Sequence, residues 1–100
     1  MTPDRPLPML VFFCSRRSGP ARRMESLLAH LARKEKDRVR IRRVDVDASP
    51  DLAERFEITV IPTLVLVDGK RALGRIEGRA SAPRIERLLA EHLELELAAA

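Results

Sequence analysis

Apolar residues in this chain follow two spacings. Met9, Leu10, Val11, Phe12 and Phe13 form a continuous run, the pattern of a strand buried on both faces, and predict a central strand of an α/β sheet. After Ser15-Arg16-Arg17-Ser18-Gly19, Pro20 suits a first helical turn, with Ser18 or Gly19 as cap. Ala21, Met24, Leu27, Leu28, Leu31 and Ala32 then recur at three and four, predicting an amphipathic helix over 20–35. Val39, Ile41, Val44 and Val46 predict a second strand, and the slip of phase at Arg42-Arg43 predicts a bulge there. Ser49 is expected to cap a short helix that opens at Pro50 and turns Leu52, Ala53 and Phe56 inward.

Thr63–Val67 reads as a third strand, and Asp68-Gly69 as a hairpin turn into a weaker fourth strand over Ala72–Glu77, interrupted by Gly74. Its low apolarity suits a sheet edge. Ser81 should cap a last helix, with Pro83 in the first turn and Ile85, Leu88, Leu89, His92 and Leu93 on one face. The expected class is α/β, in the order β-α-β-α-β-β-α. Its first two strands are parallel with a right-handed crossover and its last two form an antiparallel hairpin. Residues 1–8, with Pro3, Pro6 and Pro8, read as an extended lead-in, and 9–97 as one domain.

Composition narrows the function. Aromatic residues are 3% of the 100 and all are Phe, so the core must be built from fourteen Leu, seven Val and five Ile. Cys14, the single cysteine, excludes an internal disulfide, a dithiol site within one chain and a cysteine-cluster metal site. No apolar run approaches the ~18 residues of a membrane span. A soluble cytoplasmic protein is expected, without membrane contact, cofactor or metal. The net charge of +4 is uneven: residues 1–50 carry twelve bases and six acids, residues 51–100 seven bases and nine acids. A basic half suits an acidic partner. Nucleic acid is not expected, because there is no Tyr or Trp for base stacking and no recognition-helix pattern.

The residues also resemble the thioredoxin family. Leu10-Val11-Phe12-Phe13, a short loop and Ser18-Gly19-Pro20-Ala21-Arg22 look like that family's strand followed by Cys-Gly-Pro-Cys-Lys. Ser49-Pro50, Ala53, Phe56, Ile58, Ile61-Pro62-Thr63, Asp68-Gly69 and Gly78 match its later landmarks in order and spacing. The resemblance covers about residues 9–95. It implies a three-layer thioredoxin-like sandwich around a four-stranded mixed sheet. The family's additional N-terminal strand and helix have no counterpart, so the shorter, glutaredoxin-like architecture is expected.

The resemblance does not bring the chemistry. In the family the first motif cysteine attacks a disulfide as a thiolate and the second resolves the mixed disulfide. Ser18 stands at the first position and Ala21 at the second, Phe12 at that of the buried Asp that moves a proton, Arg43 at that of a nearby Lys, and Arg17 at that of a Trp. The resemblance further implies a cis bond before Pro62, with Ile61, Pro62 and Thr63 beside a groove where an extended partner pairs. The same proline also reads as a feature of the scaffold that binds nothing.

Two further candidates remain. Arg16, Arg17, Arg22 and Arg23 flank a helix N-terminus and suit an anion or an acidic partner loop, or are ordinary solvated arginines. Cys14 reads as a lone redox thiol activated by Arg16 or Arg17, or as a small buried hydrophobe. His30 and His92 lack any metal-ligand pattern. The leading expectation is a redox-inactive protein- or peptide-binding module. The alternatives are an oxidoreductase working through Cys14 and a basic anion or nucleic-acid binder.

Overall fold

The computed structural model describes residues 7–17 and 19–94, and for 19–22 and 94 the backbone alone. Residues 1–6 of the lead-in, Ser18 and the expected end of the domain at 95–97 lie outside the described residues. The elements are β1 (Met9–Cys14), α1 (Gly19–Lys34), β2 (Arg40–Asp45), α2 (Pro50–Arg55), β3 (Thr63–Asp68), β4 (Arg71–Glu77) and α3 (Ala82–Leu89). A π-helical turn, Ala90–Glu94, continues α3. No described helix is long and apolar enough to cross a membrane.

The strands form one sheet in the order β2-β1-β3-β4. β1 runs parallel to β2 and antiparallel to β3, and β3 pairs antiparallel with β4. Because successive side chains of a strand face opposite ways, the continuous apolar strands β1 and β3 feed two separate layers. Leu10, Phe12, Leu64 and Leu66 face α1 and α3, where they join Met24, Leu28, Leu31, Ile85, Leu88 and Leu89. Val11, Phe13 and Val65 face the other way, with Val44, and Leu52 of α2 and Phe56 at its C-cap pack over them. The rings of Phe13 and Phe56 lie 5.5 Å apart at a tilted 52°.

Two local expectations are corrected. There is no bulge at Arg42-Arg43, because β2 stays in step with β1 from Met9↔Arg40 to Cys14↔Asp45. Its apolar residues change face instead: Val39 and Ile41 join the α1 layer, and Val44 and Val46 the α2 layer. An edge strand with each face covered along only part of its length can carry an exposed Arg in the middle of either face. The register shift in the sheet lies between Leu66 and Val67, opposite Gly74 and Ala72. Ser49 stands at the N-cap of α2 but its side chain makes no capping hydrogen bond. Its ψ of 63° departs from the extended cap geometry that Ser81 adopts at ψ 163°, where the Ser81 hydroxyl accepts from the Arg84 amide at 3.4 Å.

Candidate functional site

The pairing Phe13↔Thr63 brings the end of β1, the turn that follows it and Ile61-Pro62 to one end of the sheet. The Ile61–Pro62 peptide bond is cis. Pro62 is buried and its carbonyl accepts the Gly78 amide at 2.8 Å. Thr63, also buried, donates its hydroxyl to the Val60 carbonyl at 2.6 Å. Residues 62 and 63 are thereby fixed from both sides. Beside them Val60 is 41% exposed, a large hydrophobic side chain facing solvent. The backbone amide and carbonyl of Ile61 bond to nothing among the described residues.

Cys14 ends β1 and is fully buried. Its thiol donates to the Val44 carbonyl at 3.6 Å and accepts from Arg43 Nε at 3.2 Å. Another nitrogen of the same guanidinium, Nη2, meets Glu25 Oε1 of α1 at 3.0 Å. The hydrogen bond to Cys14, with the Glu25 carboxylate adding to it, raises the proton affinity of Arg43, so it stays cationic. The expectation that Arg16 or Arg17 serves Cys14 is thus corrected. Strand parity is the reason. Phe12 pairs with Arg43 in an unbroken register, so Phe12, Cys14, Ile41 and Arg43 lie on the same face of the sheet. A bulge at Arg42-Arg43 would turn Arg43 to the opposite face.

Arg16 and Arg17 form the turn that follows β1. Together with Asp45, Asp47 and Ala48 they border a polar groove of about 500 Å³. Arg16 Nε is 3.7 Å from Asp45 Oδ2, and its side chain is 88% exposed. Ser15 braces the turn: its hydroxyl donates to Asp47 at 2.8 Å and accepts the Arg17 amide at 3.3 Å. Two carboxylates beside two guanidinium groups offset the field an anion would need. Arg23 is exposed on α1, and Gly19, Pro20, Ala21 and Arg22 are placed by their backbone in its first turn. His30 is exposed and His92 half-buried. Among the described residues no group of three or more His, Cys, Asp or Glu side chains could hold a metal ion.

A sequence model of the family described as Thioredoxin matches residues 4–91. The chain belongs to the thioredoxin family. It is 33% identical over 87 residues to a thioredoxin of Alicyclobacillus acidocaldarius, a match covering 87% of this chain and 83% of that protein. It is 31% identical over 71 residues to the bifunctional thioredoxin reductase/thioredoxin of Mycobacterium leprae, covering 71% of this chain and 16% of that protein. Among solved structures it is similar to oxidised mitochondrial thioredoxin 3 of Saccharomyces cerevisiae. There the TM-score is 0.76 at 32% identity, over 84% of this chain and 77% of that one. The fold is therefore the thioredoxin fold, with its sheet and flanking helices in place, and its one sulfur-bearing cysteine lies inside the core.

Proposed function

We propose that this thioredoxin-fold protein is a redox-inactive module that binds an extended protein or peptide segment along Thr59–Thr63. The observation that carries this reading is the Ile61 backbone. Its amide and carbonyl have no partner among the described residues and adjoin an exposed Val60, at a point where Pro62 and Thr63 are held fast. Free backbone groups in line with a sheet are what an added strand pairs with, and an adjacent apolar side chain gives it a contact surface. Disulfide exchange needs an accessible thiolate. With Ser18 and Ala21 at the motif positions and Cys14 buried, this chain offers none.

Arg43 favours a second reading, in which Cys14 is the reactive group, because a guanidinium at 3.2 Å stabilises a thiolate. Burial opposes it. Labelling the native protein with a chromogenic disulfide separates the two. The binding reading expects Cys14 to react only after denaturant is added, and no dithiothreitol-driven insulin reduction. Rapid native labelling, with turnover that Cys14→Ser abolishes, establishes the enzyme instead. For the groove itself, peptides selected from a random library should shift the amide resonances of Thr59–Thr63, and Val60→Asp should weaken them. Shifts confined to other surfaces defeat the proposal.

A further inference from the structure

The second face of the sheet is only partly roofed by α2. A cavity of about 350 Å³ opens there, at the lower end of the size range of small-molecule sites. Its walls are carbon: Val11, Val44, Leu52 and Phe56 contribute, with Met9 and Phe13 beside them. Among the described residues two polar side chains border it, Arg42 from β2 and Arg55 from α2, and both are exposed. No carboxylate among the described residues lines the cavity. Among the described residues neither guanidinium has an ion-pair or hydrogen-bond partner, whereas Arg16, Arg38, Arg43 and Arg75 all do.

We propose that this cavity binds a medium-chain aliphatic carboxylate, with its tail between the sheet and α2 and its head group at Arg42 and Arg55. An apolar pocket with a few converging polar groups is the usual form of a small-molecule site. Arginine pairs with carboxylates through parallel hydrogen bonds. At about 30 Å³ for each water-sized group, the volume holds roughly ten to twelve heavy atoms. A second copy of the chain fits poorly, because a symmetric contact would set Arg42 and Arg55 against their own equivalents. A peptide backbone would bring amides that carbon walls cannot satisfy.

The test is calorimetric titration of the whole chain with hexanoate, octanoate, decanoate and dodecanoate, each below its micelle concentration, and with the matching alcohols. Affinity should rise about fourfold for each added methylene, the equivalent of about 0.8 kcal/mol, and level off near the longest chains. Decanoate should bind about tenfold more tightly than decanol. The double variant Arg42→Gln/Arg55→Gln, altered only at exposed positions, should lose that preference and retain the alcohol. Methyl resonances of Val11, Val44 and Leu52 should shift on binding. Absence of saturable decanoate binding overturns the proposal. So does equal affinity for acid and alcohol, carboxylate affinity independent of chain length, or an undiminished preference in the double variant. Self-association in the ultracentrifuge that buries the same methyl groups assigns the cavity to a second copy instead.

Discussion

A side chain at position 74 has nowhere to go. A Cβ built on Gly74 would lie 2.8 Å from His92 Nε2 and 2.9 Å from Leu88 Cδ1. The glycine thus lets α3 and its π-helical extension settle onto β4. In the sequence Gly74 reads as an interruption of a weak strand, and the atoms that need its bareness lie fourteen and eighteen residues on. Such a signal is invisible until the helix is docked. Overpacking a core typically costs about 1–3 kcal/mol, partly offset here because both offending atoms are ends of flexible side chains. Gly74→Ala should therefore lower stability by about 1 kcal/mol in urea unfolding. In a Leu88→Ala/His92→Ala background, which removes both offending atoms, the same substitution should cost much less, since contacting residues are not additive. Equal costs in both backgrounds would trace the effect to the strand backbone. Cys14 is legible in part: its phenylalanine neighbours point to burial, whereas its arginine partner could be named only once the β2 register was known.

At the scale of elements, the strongly periodic pieces were readable. The two buried strands, the first helix and the hairpin all follow from runs and spacings that match a single environment. β2 was harder because its environment changes halfway along, and a change of covered face looks the same in sequence as an inserted residue. The link between α1 and α3 was not readable at all. Lys34 Nζ lies 3.0 Å from Glu86 Oε1, both side chains about half exposed, across fifty-two residues. The hydrogen bond to Glu86, and then its charge, raise the Lys34 amine above its ordinary 10.5. A raised amine binds its proton more tightly in the folded state. The stabilisation is therefore complete below pH 10.5 and is lost as pH rises through the folded value. Titration of the Lys34 side-chain resonance should show the raised midpoint in the wild type and a return toward 10.5 in Glu86→Gln. High salt should narrow the difference, because the pair is exposed to solvent. A midpoint unchanged by Glu86→Gln would mean that the Lys34–Glu86 pair does not form in solution.

The whole molecule keeps the thioredoxin scaffold while its chemistry is dispersed. The family's landmarks lie on a sheet with intact pairing, a cis bond before Pro62 and helices on both faces. Yet the position that should carry a buried acid is Phe12, 1% exposed in the α1 layer. A carboxylate that borders the same pocket as Phe12 is Glu25. It lies one helical turn beyond Ala21 in α1 and is engaged by Arg43 at 3.0 Å. Restoring both motif cysteines, Ser18→Cys with Ala21→Cys, should therefore restore sulfur without restoring efficient proton transfer. The variant should oxidise to an internal disulfide and yet reduce insulin slowly. General acid–base assistance typically contributes about 10²–10⁴-fold, so a deficit of that order against an ordinary thioredoxin is expected. Adding Arg43→Met to the restored pair releases Glu25 and should recover part of the rate; Glu25→Gln should then remove it. Full activity in the restored pair alone would show that the buried acid is dispensable on this scaffold. A restored pair that fails to form its disulfide would place the defect earlier, in the geometry of the first turn of α1.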